Sequence, residues 1–177
     1  MTAPVFVDTN VLIYARDAAH AGKQQRAAEW LSHLWREQLG RTSIQVLSEY
    51  YVNVTRELVP GLPVEAAWDD VQALMTWNPQ ASDESLLQRG REVELRYRLS
   101  WWDSLVVAAA QLQDCTLLLT EDLQTGAVYG SVTVCSPFTS SAMEMSARYL
   151  SRQAGRSAHP NRGRPRKQRA PAPASSN

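Results

Sequence analysis

Four acidic side chains stand where apolar segments of the sequence end or begin, and together they could act on a charged substrate. Asp8 follows the apolar run of residues 5–7, and Asp122 lies just beyond the apolar run of residues 117–119. Asp103 opens a long apolar segment, and Glu49 lies within a candidate helix. Carboxylates can hold a divalent cation, act as general bases or serve as nucleophiles. Their role depends on whether the fold brings them together.

Each of the four acids also has a purely structural interpretation. Asp8 suits the N-cap of a following helix, an interaction worth about 1 kcal/mol. Ser100 and Asp103 resemble a capping box, although the third helical residue of that motif is usually Glu or Gln. Asp122 could begin a turn, and Glu49 lies off the apolar stripe of its helix, where an exposed Glu is ordinary. Taken singly, the acids at these positions are more typical of structural roles.

The elements that must position these acids alternate between short strands and longer helices. Strands are predicted at residues 5–7, 42–44, 116–119 and 131–135, with room for a very short one at 78–80. Helices are predicted at about residues 10–16, 21–39, 45–58, 64–77, 83–99 and 101–113, with Gly40 ending the second. This order predicts an α/β domain of three layers, in which a short, mostly parallel central sheet is flanked by helices.

The predicted sheet gives the four acids a reason to converge. Asp8 and Asp122 each follow a strand, and Asp103 opens the helix that leads into the second of those strands. In open α/β sheets the functional crevice lies beyond the carboxyl ends of the strands, within reach of Glu49 in the following helix. Clustered carboxylates repel each other unless a cation neutralises them, and hard oxygen ligands suit Mg²⁺ or Mn²⁺. The joint pattern therefore predicts a divalent-metal site.

The charge of the chain is divided unevenly along its length. Residues 1–147 contain 10 Lys and Arg against 18 Asp and Glu, a net charge of −8. Residues 148–177 contain eight Lys and Arg and no acid, a net charge of +8. An acidic body with a basic end indicates a nucleic-acid partner, although such an end can also be only solubilising.

Composition also predicts the domain organisation and the compartment. Residues 1–138 are expected to form one domain, residues 139–153 a C-terminal helix, and residues 154–177 a disordered basic tail rich in Pro and Arg. Cys115 and Cys135 are expected to be buried thiols. The sequence shows neither a signal-peptide pattern nor an apolar stretch of the ~20 residues that cross a bilayer, so a soluble cytoplasmic protein is expected.

Four segments of the sequence resemble the acidic motifs of PIN domains. They are Val-Phe-Val-Asp8-Thr9-Asn10, Gln45-Val-Leu-Ser-Glu49-Tyr, Trp102-Asp103-Ser-Leu-Val-Val-Ala-Ala-Ala and Leu-Leu-Thr120-Glu121-Asp122-Leu. The resemblance covers residues 4 to about 138, and the motifs occur in the right order. No single motif is specific, but the four in sequence are. Among PIN domains the chain is most similar to the VapC-type toxins of bacterial toxin–antitoxin pairs.

The resemblance implies a Mg²⁺- or Mn²⁺-dependent endoribonuclease whose metal ligands are Asp8, Glu49, Asp103 and Asp122. It also implies a supporting role for Asn10 beside these ligands and a site-lining role for Thr120. A homodimer held inactive by a cognate antitoxin protein is a further implication. The segment beyond residue 138 has no counterpart in the compact family pattern.

The expected reaction needs no side-chain nucleophile. Water activated by the metal would attack the scissile phosphate in line, while the metal offsets charge on the leaving oxygen. This fits the scattered positions of the histidines, His20, His33 and His159. RNA would be held by basic groups, of which the body offers Arg16, Lys23, Arg96 and Arg98 as weak candidates. The tail offers a denser cluster, formed by Arg162, Arg164, Arg166, Lys167 and Arg169.

Two alternative functions remain open at this point. An α/β phosphatase could use Asp8 as its nucleophile, but the second Asp expected two residues later is replaced by Asn10. Release of inorganic phosphate from a small phosphoester would favour that enzyme. The other alternative is a PIN scaffold that binds RNA or a partner protein without cutting. The presence of all four acids argues against it, because a retired site has no reason to keep a costly cluster of charges.

Overall fold

A computed structural model describes residues 3–139 and residue 144. The chain begins with β1 (Val5–Val7), α1 (Thr9–Tyr14), a 3-10 turn (Ala18–His20), α2 (Ala21–Glu37) and β2 (Gly40–Arg41). There follow α3 (Ile44–Val52) with a π-helical continuation (Asn53–Glu57), α4 (Val64–Met75), α5 (Glu84–Tyr97) and α6 (Trp101–Leu112). The described elements end with β3 (Leu117–Leu119), β4 (Val128–Tyr129) and β5 (Val132–Cys135). The predicted helix of residues 139–153 and the basic tail lie outside the described residues, apart from residues 139 and 144.

In the described part of the chain the strands form one sheet in the order β2-β1-β3-β5-β4. Strand β1 pairs in parallel with β2 and with β3, where Val5 stands opposite Leu117 and Val7 opposite Leu119. Strand β5 extends the parallel sheet beside β3, and only β4 is antiparallel to its neighbour. The prediction of an α/β domain with a short, mostly parallel sheet flanked by helices is confirmed.

The strand order creates a crevice at one end of the sheet. From β1 the chain goes to β2 on one side, whereas β3 lies on the other side of β1. Connections that leave a sheet in opposite directions open a crevice at the carboxyl ends of the strands between them. Asp8 directly follows β1, and Thr120 directly follows β3. The fold therefore brings these two residues to the same edge.

Helix α6 forms the interior of the domain on the side of β3 and β5. Its residues 104–110 are all buried, and it packs against α5, β3 and β5. A helix that is apolar on all sides is stable only when it is covered on all sides. Gly90 on α5 permits the close approach, because a Cβ there would lie 2.7 Å from a methyl carbon of Leu105.

The second strand lies two residues earlier than predicted, and Gly40 does not end the second helix. Helix α2 ends at Glu37, and its C-cap Gln38 adopts a left-handed conformation with φ 56°. Gly40 instead starts β2, where a Cβ would lie 2.4 Å from the buried ring of Trp77. Of the predicted strand at 42–44, Ser43 makes a single parallel bridge to Gln80. Its hydroxyl caps α3 by accepting from Val46 N at 3.2 Å, so the chain turns into helix there.

Two further differences from the sequence predictions are local. The helix predicted at 45–58 loses its α-helical hydrogen-bonding pattern after Val52 and continues as a π-helical segment. The short strand β4 was not predicted, and it forms a hairpin with β5 around Gly130, which has φ 66°. Both differences lie away from the carboxyl edge of β1 and β3.

The prediction that both cysteines are buried thiols is confirmed. Cys115 and Cys135 are buried free thiols, and burial raises the pKa of Cys115 to about 12. Between residues 3 and 139, none of the helices combines the length and apolarity needed to cross a bilayer.

Candidate active site

Asp8 is fixed by both the sheet and the helix that follows. Its backbone N–H donates to Leu119 O at 3.1 Å, which extends the pairing of β1 with β3 by one residue. Its carboxylate accepts from Thr9 N at 2.7 Å as the N-cap of α1. The structural role expected of Asp8 is therefore present. The carboxylate also accepts from Thr120 Oγ1 at 2.7 Å, and this contact has no capping function.

Thr120 and Asn10 connect Asp8 to Asp122. The Thr120 hydroxyl donates to Asp8 and accepts from Asn10 Nδ2 at 3.0 Å and from Asp122 N at 3.1 Å, which uses all its hydrogen-bonding capacity. Asn10 Nδ2 also donates to Asp122 Oδ2 at 2.9 Å and lies 3.4 Å from Asp8 Oδ2. Asp8, Asn10, Thr120 and Asp122 thus form one hydrogen-bonded cluster, here called the acidic network.

Glu49 joins the acidic network through Thr9. Thr9 Oγ1 donates to Glu49 Oε2 at 3.0 Å, and Gln45 Nε2 donates to Glu49 Oε1 at 3.0 Å. Glu49 is therefore half-buried and held at this edge, rather than freely solvated as its place off the apolar stripe suggested. No role was predicted for Thr9 from the sequence. Its position between Asp8 and Asn10 was the signal that could have found it.

Asp103 is hydrogen-bonded to Ser100, outside the network that links the other three acids. Its carboxylate accepts from Ser100 Oγ at 2.7 Å, and its backbone N–H donates to the same oxygen at 3.1 Å. Ser100 is the N-cap of α6, as the capping-box pattern predicted. Among the described residues, Asp103 makes no hydrogen bond to Asp8, Glu49 or Asp122. Its membership of a shared metal site therefore stays a prediction.

The electrostatics of Asp8 reflect its surroundings. Burial raises the pKa of Asp8 to about 6, against the lowering effect of the hydrogen bonds from Thr120 and Thr9. The negative charges of Asp122 and Glu49 contribute to this rise, each by less than burial does. These three acids therefore interact electrically, and a bound cation would relieve both the repulsion and the cost of burying a charge.

The donor chemistry of the network suits a hard divalent cation. The acids offer carboxylate oxygens, and Asn10 Oδ1 is a buried amide oxygen without a hydrogen-bond partner within the described residues. Oxygen donors of both kinds are ligands for Mg²⁺ and Mn²⁺. Over residues 3–139, however, no three His, Cys, Asp or Glu side chains are grouped closely enough to hold an ion as they stand. The residues fit the cation in chemistry, and binding would require side-chain rearrangement.

The four basic residues proposed in the body differ in their availability. Arg16 is paired with Asp70, and Lys23 lies 2.6 Å from Glu121 and 4.2 Å above the ring of Tyr14. Arg96 lies over the ring of Tyr97. Arg98 is exposed and makes no ion pair within residues 3–139. The predicted basic cluster of the tail, Arg162, Arg164, Arg166, Lys167 and Arg169, lies outside the described residues.

Comparison with known proteins identifies the family of this chain. The PIN domain family matches residues 5–130, whereas no curated protein matches the chain. One similar solved structure is Mycobacterium tuberculosis VapC20, described as a sarcin-ricin loop cleaving toxin, with 18% sequence identity and a TM-score of 0.45. The match covers 64% of this chain and 86% of that one, but is too distant to carry a functional argument. The family match spans well over half of the sequence, and the chain therefore belongs to the PIN domain family.

Proposed function

We propose that this PIN domain is a divalent-metal-dependent endoribonuclease that hydrolyses phosphodiester bonds in RNA. The observation that carries the proposal is the acidic network at the carboxyl edge of β1 and β3. It holds Asp8 and Asp122 together through two neutral side chains and ties in Glu49 through Thr9. Acids kept together at an energetic cost, in the crevice where α/β folds bind their ligands, indicate a cation site.

The cation would be Mg²⁺ or Mn²⁺, and its ligands would be Asp8, Glu49, Asp103 and Asp122. When bound, such an ion supplies a water of lowered pKa and positive charge for the scissile phosphate. The chain's own residues do the positioning. Asn10 and Thr120 orient the carboxylates of Asp8 and Asp122. The N-cap contact with Ser100 fixes Asp103 in the first turn of α6.

The biological setting follows the resemblance to VapC-type sequences. In this proposal the protein is the toxin of a type II toxin–antitoxin pair, is homodimeric and acts in the cytoplasm. A cognate antitoxin would hold it inactive. A short neighbouring gene for a DNA-binding protein would support this setting, which is separate from the nuclease activity itself.

The basic end of the chain would add RNA contacts to those of the acidic body. Residues 1–147 carry a net charge of −8, and residues 148–177 carry +8. A basic segment joined to an acidic body can tether RNA near the crevice and raise its effective concentration there. The RNA-contacting side chains would be those of Arg162, Arg164, Arg166, Lys167 and Arg169.

The test is cleavage of RNA by the purified protein in Mg²⁺ or Mn²⁺, with EDTA as the metal-free control. Asp8→Asn and Asp122→Asn should remove cleavage, because each deletes a charge of the acidic network. Asp69→Asn is the matched control, since Asp69 is an exposed acid on α4. Retained RNA binding without any cleavage by the parent protein would instead support the non-catalytic scaffold. Equal cleavage by the parent and Asp8→Asn proteins, with contaminating nuclease excluded, would refute the proposal.

A further inference from the structure

Trp102 is an unusually exposed tryptophan. It is 63% exposed, against 48% for Trp68 and 40% for Trp35. Its neighbour Trp101 is half-buried and packs close to Gly90 of α5. A large indole surface left in water is unfavourable. The outward orientation of Trp102 leaves most of its indole surface available to a ligand.

The position of Trp102 in the fold places it at the same end of the sheet as the acidic network. Trp102 is the second residue of α6, directly before Asp103. Helix α6 packs against β3 and joins it through residues 113–116, so the two elements run in opposite directions. The first turn of α6 therefore lies toward the carboxyl end of β3, where Thr120 and Asp122 are found.

Arg98 adds an available positive charge to the same corner. It caps α5 in a left-handed conformation with φ 57° and lies in the turn between α5 and α6. Arg98 is exposed, and within residues 3–139 it forms no ion pair. By contrast, Arg16 and Lys23 are held by Asp70 and Glu121. The α5–α6 corner thus offers an aromatic face and a free guanidinium within four residues of each other.

We propose that Trp102 and Arg98 form an RNA-positioning corner beside the acidic network, with one unpaired base stacked on the Trp102 indole and a neighbouring phosphate bound by Arg98. Proteins that bind single-stranded nucleic acids combine aromatic stacking faces with basic groups that follow the backbone. Any base can stack on an indole ring, so this corner would bind a single strand without sequence selectivity. The inference rests on the proposed ribonuclease function and names single-stranded or looped RNA as its ligand.

The first experiment measures the binding of single-stranded oligoribonucleotides to the full chain in EDTA, where metal-dependent cleavage is blocked. Trp102→Ala should lower affinity about 5- to 150-fold, the range for losing one stacked base. Trp102→Phe should retain most of the affinity, because a phenyl ring still stacks. Trp68→Ala is the matched control, since Trp68 is exposed on α4 and contacts Tyr51 of α3. It should bind like the parent.

A scan with abasic nucleotides separates stacking from a general loss of structure. Moving one abasic residue along the oligoribonucleotide should weaken binding of the parent most at one position. Trp102→Ala should be insensitive at that same position, since the contact is already absent. When cleavage rates are measured in Mg²⁺ over a range of RNA concentrations, Trp102→Ala should raise KM and leave kcat little changed.

The phosphate contact has its own readout. Arg98→Gln should reduce the steepness of the log–log dependence of affinity on salt by about 0.7, the value for one phosphate contact on a single strand. Arg56→Gln is the control, since Arg56 is an exposed cation in the π-helical segment after α3. It should leave the slope unchanged.

The outcomes distinguish this inference from the proposed function. If the parent binds and cuts RNA but Trp102→Ala and Arg98→Gln behave like it, the positioning corner is refuted and the ribonuclease stands. If the parent neither binds nor cuts RNA, both proposals fail. Sedimentation velocity is the further control: a Trp102→Ala protein that loses affinity only because it dissociates would place Trp102 between copies of the chain and overturn the inference.

Discussion

Replacing Asp8 by Asn should stabilise the metal-free protein at neutral pH. Asp8 is 8% exposed, and its pKa is raised from an ordinary 3.8 to about 6 by burial and by neighbouring negative charge. That difference corresponds to a penalty of about 3 kcal/mol for the charged form in the folded state. Asn carries no charge but cannot accept from both Thr9 and Thr120 with two oxygens. We therefore expect a net gain of about 1–3 kcal/mol.

The stability gain of Asp8→Asn should depend on pH. Because the folded-state pKa is raised, the folded protein binds the proton more tightly than the unfolded chain does. The penalty on the parent is therefore complete well above about pH 6, and falls as the pH drops through that value. At about pH 4.5 it amounts to only about 1 kcal/mol, so the advantage of Asp8→Asn should shrink by about 2 kcal/mol.

The assay is urea unfolding in EDTA at about pH 7.5 and about pH 4.5, with Asp69→Asn as the exposed-acid control. The control should change stability by less than about 0.5 kcal/mol at either pH. A loss of stability in Asp8→Asn near pH 7.5 would show that the N-cap and Thr120 hydrogen bonds outweigh the buried charge. A gain of the same size at both pH values would also refute the electrostatic reasoning. In Mg²⁺, the parent should gain stability and Asp8→Asn should gain less, since a ligand that binds the folded state stabilises it.

Two further changes test the first turn of α6 and the basic end of the chain. Asp103→Asn should lower the free energy of unfolding in the same urea assay by about 0.3–1 kcal/mol, because Asp103 lies at a helix N-terminus. Among the described residues, its hydrogen bonds are with Ser100 alone. An increase in stability would instead indicate that Asp103 belongs to a repulsive cluster of acids. Truncation after Leu150 should leave the melting temperature almost unchanged. It should reduce the slope of log RNA affinity against log salt concentration by roughly two to five. An unchanged slope would indicate that the basic charge binds another partner.

The parts of the fold that the sequence predicted well are those with strong local signals. Strands β1, β3 and β5 are apolar runs that end at polar residues, and each lies within one residue of its predicted bounds at either end. Strand β2 was predicted two residues too late because the end of α2 was placed too late. The helix is capped by Gln38 in a left-handed conformation, which glutamine does not strongly prefer. Strand β4 was missed because Val128 and Tyr129 are only two residues, and their pairing depends on the turn at Gly130.

The candidate site shows the same division between local and long-range information. Asp8 and Asp122 could be placed at one edge because each follows a predicted strand. Thr9 and Glu49 are 40 positions apart in the sequence, so no local sequence pattern predicts their contact. For Asp103 the sequence allowed both a capping role and a metal-binding role. The structure shows the capping contact with Ser100, and the metal-binding role stays a prediction.

The parallel pairing of β1 with β3 has a consequence for biosynthesis. Asp8 and Asp122 are 114 positions apart in the sequence, and their meeting requires β3 to dock beside a strand that is made much earlier in translation. At about 5–20 residues per second, a ribosome needs roughly 6–23 s to cover that interval. During most of it the nascent chain carries Asp8 and Asn10, and later also Glu49, without the partners that follow β3. A growing chain therefore cannot assemble the acidic network while its own messenger is still being read through this region.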